Sequence, residues 1–268
     1  MSGAKHILRL AAKLAAGAAV LAALGFVEHS GGSVPVHDIR VELEGPGDMH
    51  FIDAARLGME VEGDGGPVIG RPIDEVDERG IEQRLRAIPF VAEADVYHTM
   101  DGTLHVKVRQ REPIVRVVNA DGTGFYIDKE GWTMPLAPDY AARVLVVTGQ
   151  LDEPFADGAP VNVAQGNDSL AAHTHGRAIH ALARTLLKDP LWHALFTQAV
   201  VDADGNITLI PAVGMMQVRV GNGERLPQRL AKLRMFLERG IPQADWRRYN
   251  TVDLRFDDQV VCTKRPRN

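Results

Sequence analysis

The sequence predicts an α+β protein, with an apolar amino-terminal segment leading into two units rich in strands. Three observations predict it. Residues 77–118 read as helix, strand, tight turn, strand. From residue 114 onward, short alternating runs recur between turn residues, interrupted by two helical patterns. Before both units, residues 14–27 form an uncharged run of mostly Ala and Leu behind Lys5, Arg9 and Lys13.

That first segment sets the expected compartment. At ~1.5 Å per residue, residues 14–27 span only roughly 21 Å as a helix, and a bilayer core of about 30 Å needs roughly 20 residues. Starting at Ile7 supplies the length if Arg9 and Lys13 extend toward the headgroups. Basic residues before the run and Glu28 after it put the amino terminus inside. A cleaved signal peptide is the rival reading, with Ala23-Leu24-Gly25 as its small-x-small site. Either reading exports the chain from Glu28 onward. Residues 30–35, Ser-Gly-Gly-Ser-Val-Pro, are a linker by composition.

The first unit opens with a strand in which Ile39, Val41 and Leu43 alternate with Arg40, Glu42 and Glu44. A short helix is expected over 51–61, with Ile52, Ala55 and Leu57 as its apolar candidates. A second helix follows, because Ile81, Leu85 and Ile88 recur at helical spacing until Pro89 stops the ladder. Ala94, Val96 and His98 alternate as a strand, Asp101-Gly102 turns the chain, and Leu104, Val106 and Val108 alternate back. The order is β-α-α-β-β over 36–112. Gln110-Arg111-Glu112-Pro113 is the seam, since proline cannot donate within a central sheet.

The second unit, 113–263, is predicted to be mostly antiparallel sheet with two helices. Strands are expected at 114–118, 124–127, 144–148, 196–201, 206–210 and 216–220. A helix around 171–187 carries Ile179, Leu182, Ala183 and Leu186, and one over 226–239 carries Leu226, Leu230, Leu233 and Leu237. Residues 250–256 and 259–263 should close the unit as a hairpin, with Val260 and Cys262 on one face and Val261 on the other. Residues 264–268 are a basic tail.

Composition narrows the function. The chain has 268 residues and a net charge of −5, and no dense Lys/Arg stripe interleaved with aromatics, so a nucleic-acid surface is not expected. The single cysteine, Cys262, excludes an internal disulfide and a thiolate zinc site and is expected to be buried and inert. His173, His175 and His180 lack the i, i+4 spacing of a helical metal pair and read as solvent-facing helix residues. Asp253 reads as an outward strand residue and Asp257-Asp258 as a turn, not as a catalytic carboxylate pair. Trp132, and Trp246 with Arg247-Arg248, read either as sheet anchors or as a contact surface. No catalytic residue, metal, cofactor or small-molecule ligand is expected.

Four segments, IEQRLRAIPFVAEADVY, LHVKVRQREPIVRV, YIDKEGWTMPL and YNTVDLRFDDQVVC, occur in an order that resembles the FtsQ/DivIB family of bacterial cell-division proteins. The resemblance implies a POTRA domain over 36–112 and an FtsQ-type β-domain over 113–263. It also implies a cytoplasmic stub and single membrane helix over 1–28, a linker over 29–35, and location at the division septum with both domains in the periplasm. The family acts without catalysis, and the implied partners are FtsB, FtsL and the septal peptidoglycan synthase. A sheet edge binds partners by strand addition, and the resemblance places docking on the last strand. The candidate contacts are Arg255, Phe256, Gln259, Val260, Val261 and Cys262. Arg255-Phe256 occupies the place of an Arg-aromatic pair that is often Arg-Tyr in relatives, so contact through Phe256 is expected to be apolar. A POTRA-bearing protein of outer-membrane assembly or secretion, and a secreted hydrolase, are the alternatives. The lone POTRA-like unit and the missing lipid-facing strand pattern weigh against the first.

Overall fold

Two hydrophobic clusters, each closed over its own sheet, organise the chain in a computed structural model. The described residues are 13, 15–21, 34–46, 49, 51–63, 66–156, 158–165, 174–214, 216–240 and 249–265. Most of the predicted membrane segment and linker, His173, and Trp246 with Arg247-Arg248 lie outside them. Residues 15–21 are helical, and among the described residues no helix is long and apolar enough to cross a membrane. One unit comprises residues up to Glu44 and Ile52–Gln110; the other comprises Gly45–Phe51 and the chain from Arg111 onward.

The first unit has the predicted β-α-α-β-β order. Strands β1 (Asp38–Glu44), β2 (Val91–His98) and β3 (Thr103–Gln110) form a sheet in the order β1-β3-β2. β1 runs parallel to β3 and β2 antiparallel to it. Leu104, Val106 and Val108 are fully buried under helices α1 (Ala54–Glu62) and α2 (Glu78–Ala87), which contribute Leu57, Val61, Ile81 and Leu85. Ala55, expected on the buried face of α1, is exposed; the i, i+4 pair Leu57 and Val61 defines that face. Each helix starts on an aspartate. Asp53 accepts the Arg56 N–H at 2.7 Å and Asp77 the Gly80 N–H at 3.0 Å, satisfying donors that the helix cannot. In the β2–β3 turn, Gly102 has φ 90°, and a Cβ there would lie 2.7 Å from the Pro35 carbonyl oxygen. Only glycine fits.

The second unit is a nine-stranded sheet in the order β12-β11-β10-β9-β8-β7-β4-β5-β6. Its strands are β4 (Pro113–Val118), β5 (Gly124–Asp128), β6 (Thr133–Pro135), β7 (Leu145–Gly149), β8 (Phe196–Val201), β9 (Ile207–Pro211), β10 (Gln217–Gly221), β11 (Tyr249–Asp253) and β12 (Val261–Lys264). Five of the eight neighbouring pairs are antiparallel and three parallel. Helices α3 (Gly176–Leu187), α4 (Pro190–Leu195) and α5 (Leu226–Met235, continued by a π-helical turn over Phe236–Gly240) accompany the sheet. Ile179, Leu182, Ala183 and Leu186 of α3 and Leu226, Leu230 and Leu233 of α5 are buried with Val117, Phe125, Val147, Leu209 and Val252. β6 and α4 were not expected. β11 stops at Asp253, three residues short of its predicted end; beyond it the carbonyls of Leu254 and Phe256 accept from Lys232 on α5 instead of from a neighbouring strand.

The entrance to this unit is fastened by charge. Arg111 donates to Asp128 at 3.0 Å, with the two side chains only 10% and 0% exposed. The second Asp128 oxygen accepts the Trp132 N–H at 2.8 Å, and the Trp132 ring centroid lies 5.0 Å from the Arg111 guanidinium. Trp132 is therefore an anchor. Burial pushes the Asp128 carboxyl above its ordinary value, against the pull of the Trp132 N–H and Arg111.

Removing one member of a buried pair leaves an uncompensated charge, at a cost on the order of 3–5 kcal/mol. Arg111→Met should lower the urea midpoint accordingly at pH 7. A raised carboxyl favours the folded state most below its unfolded value of about 3.9 and loses that advantage as pH rises through the folded value. The deficit of Arg111→Met should thus shrink between pH 7 and pH 4. A pH-independent deficit would show that Asp128 does not carry it.

Candidate functional site

Clustered ionisable groups offer little chemistry. Among the described residues, no three His, Cys, Asp or Glu side chains are placed to hold a metal ion. His180 does not face solvent as expected: it is 3% exposed, with Nε2 3.2 Å from the Lys129 carbonyl. Burial, the main cause, lowers its proton affinity. His175 is half-buried, and the buried Glu153 carboxylate accepts its backbone N–H at 2.8 Å. A hollow of about 570 Å³ is lined by Glu112, Tyr140, Arg143 and His193, but Glu112 is already held by Lys129 at 2.7 Å.

Sheet edges are more informative. An edge strand presents a row of N–H and C=O groups that must find partners in the chain, in water or in another molecule. Along β2, α2 supplies them from one row of side chains. Glu82 accepts the Val96 N–H at 3.1 Å, Arg86 donates to the Ala94 carbonyl at 2.5 Å, and Glu78 meets His98 at 2.6 Å. Glu82 and Arg86 also pair with each other at 3.2 Å. β6 is covered by a neighbouring segment, with Thr133 donating to the Val161 carbonyl and Val163 to the Gly131 carbonyl, both at 2.9 Å. The approach to β1 is tied down through Val36 and residues Gly70–Arg71, and the strand itself carries exposed Arg40, Glu42 and Glu44.

β12 has β11 on one side and, among the described residues, no strand on the other. Its outward groups follow from register. The Leu254 N–H donates to the Arg219 carbonyl on β10, so Val252 and Leu254 direct their backbone groups toward β10. By alternation, Thr251 and Asp253 direct theirs toward β12. Their partners there are Thr263 and Val261. The N–H of Val261 therefore points into the sheet, and that of Cys262 points to the open edge.

Of the predicted contacts, Arg255, Phe256, Gln259 and Val261 are exposed, with Phe256 at 45% and Val261 at 38%. Val260 and Cys262 turn toward the hydrophobic core, as the predicted two-faced hairpin requires. Burial raises the Cys262 thiol above its ordinary value, which keeps it protonated. Asp253, expected to face solvent, is 7% exposed. It is clamped by Arg255, whose Nε and Nη2 donate to its two oxygens at 3.0 and 2.7 Å. Burial pushes the Asp253 carboxyl up, but the Arg255 bonds and charge outweigh it and hold it below the ordinary value. The pair fixes the base of the Arg255 side chain beside Phe256. Sequence reading missed a second holder of this turn, Lys232 on α5, whose ammonium donates to carbonyls between Leu254 and Gln259.

A β-α-α-β-β unit followed by a broad sheet ending in an open strand defines a two-unit protein of the POTRA-plus-β-domain class. Residues 36–109 match the POTRA-like domain family, and residues 112–263 match the family described as FtsQ/DivIB, C-terminal related. The chain is 28% identical over 198 residues to the cell division protein FtsQ of Rhodothermus marinus, covering 72% of this chain and 67% of that one. It is 29% identical over 192 residues to FtsQ of Salinibacter ruber, covering 69% of each. To FtsQ of Geotalea daltonii it is 24% identical over 274 aligned positions, covering 97% of this chain and 89% of that protein. The chain belongs to the FtsQ/DivIB family.

A depressed carboxyl stabilises the fold above its unfolded value and loses that contribution as pH falls through the folded value. Asp253→Asn should therefore cost about 1 kcal/mol at pH 7, a modest sum because Arg255 is partly solvated and screened. The gap between wild type and variant in thermal or urea unfolding should close as pH falls below about 4. A gap that widens in acid would contradict the assignment.

Proposed function

We propose that this protein is a non-enzymatic scaffold of the bacterial division machinery, anchored in the inner membrane by one amino-terminal helix with both domains in the periplasm. It gathers FtsB and FtsL, and through them the septal peptidoglycan synthase, at the division site. Docking uses the β12 edge. A segment of FtsB adds as a further strand along β12, main chain to main chain, while Phe256 and Val261 supply apolar contact and Arg255 supplies charge.

The observation that carries this reading is the contrast among edges. Glu82 and Arg86 occupy β2, residues 161–163 cover β6, and β1 is lined by exposed Arg40, Glu42 and Glu44, whereas β12 has no strand beyond it among the described residues and carries exposed apolar Phe256 and Val261 beside it. Family membership over 112–263 sets it above a role in outer-membrane assembly. Basic residues before the apolar run support the anchor.

Co-purification of the FtsB–FtsL pair tests the docking. Cys262→Pro deletes an N–H directed at the open edge and should abolish capture with little change in melting temperature. Val261→Pro deletes one directed at β11 and should lower the melting temperature. Phe256→Ala should weaken capture by roughly tenfold or more, as for a buried aromatic contact. If folded Cys262→Pro and Phe256→Ala proteins both retain the pair at wild-type levels, β12 is not the docking site.

Fractionation tests the anchor. The full-length chain should sediment with membranes and need detergent for release. A mature protein beginning at Phe26 in the soluble periplasm would replace the anchor with a cleaved signal.

A further inference from the structure

The connection between β11 and β12 runs from Leu254 through Val260, too long for a two-residue hairpin turn. It contains no glycine or proline to preset its path: the residues are Leu254-Arg255-Phe256-Asp257-Asp258-Gln259-Val260. Something else must hold it. The Lys232 ammonium donates to the carbonyls of Leu254 at 3.2 Å, Asp257 at 3.3 Å and Gln259 at 3.4 Å, and also to that of Phe256. An ammonium has three donors, so four carbonyls converge on a fully subscribed cation. Arg225, at the start of α5, adds a bond to Asp257 at 3.1 Å, but both side chains of this pair are largely exposed. Lys232 is half-buried, flanked along α5 by the buried Leu230 and Leu233.

We infer that Lys232 is a positioning residue for the docking edge, presenting Arg255 and Phe256 and setting the line along which β12 starts. This rests on the reading of β12 as the docking strand. The geometry gives each carbonyl a consequence. Binding the Leu254 and Phe256 carbonyls inward leaves the intervening Arg255 side chain directed at Asp253 and the Phe256 ring in solvent. Binding the Gln259 carbonyl brings the chain back one residue before Val260 returns to the core. Lys232 touches no partner itself. It fixes beforehand a conformation that a partner would otherwise have to order on binding, which is where affinity is commonly lost.

Two measurements on full-length protein test this, with Lys232→Met, which keeps the aliphatic stem, and Lys232→Arg, which keeps a cation. Amide hydrogen exchange reads the turn without any partner. Losing charge-assisted bonds should speed exchange at 255–260 by roughly tenfold in Lys232→Met and leave residues 114–127 unchanged. Capture of the FtsB–FtsL pair should weaken by about tenfold, mainly through slower association, since the partner must then meet an unordered turn. Lys232→Arg should restore both toward wild type. Wild-type exchange or wild-type capture in Lys232→Met would overturn the inference. If wild-type protein itself fails to capture the pair, the docking reading falls; exchange at 255–260 then decides by itself whether Lys232 orders the turn.

Discussion

Every strand at the margin of a sheet carries backbone donors and acceptors on its outer side, and this constraint governs both units. The fold answers it in different ways. In the first unit a helix placed to cover the apolar face also turns a polar row, Glu78, Glu82 and Arg86, along β2. The four-residue spacing puts these side chains on one line. Two of them each serve one backbone group of Ala94 or Val96. At β6 the chain folds back and uses its own carbonyls. Strand addition is thereby discouraged at margins where it would compete, and a specific protein needs that as much as it needs an attractive site.

The buried pair Arg111–Asp128 works on the same principle in the interior. β4 begins with Pro113, a residue that tolerates the first place in a strand and little else in a sheet. Because proline cannot donate, the start of β4 is secured by side chains instead. Arg111 grips Asp128 at the end of β5, Trp132 covers the guanidinium, and the Trp132 backbone closes on the same aspartate. Gly131, at φ 92°, allows the chain to turn so tightly that a Cβ would collide with Ala164. The motif words that made the sequence resemble its family, R-E-P-I-V-R and Y-I-D-K-E-G, are the two halves of this fastening. Sequence alone gave no sign that they met.

Regular periods made most of the fold legible. Strict alternation at Leu104, Val106 and Val108 placed β3, and the leucines of α5 placed its buried stripe, because one face of each element is wholly apolar. Failures came where a polar residue finds a partner that periodicity does not reveal. Asp253 alternates outward, yet Arg255 and its neighbours bury it; alternation names a face and not whether water reaches it. His180 reads as a solvent-facing helix residue, but its partner is a carbonyl 51 residues away. β6 and α4 have only three and six residues, too short for either period to register. The candidate docking residues rest on family position. Their exposure, and the direction of each N–H along β12, needed the register of β10, β11 and β12 together.

A long connection held by side chains has a cost and a use. A tight glycine turn would have fixed β12 through local backbone preference alone, independent of the rest of the unit. Here the path from Leu254 to Gln259 is set by Lys232, and Lys232 is set by α5, which is rooted in the core through Leu226, Leu230 and Leu233. The direction of the open edge is therefore tied to the packing of α5. Through Lys232 the position of α5 bears on four carbonyls of the connection at once. An edge built this way has its conformation in place before a partner arrives, because the ordering is part of folding.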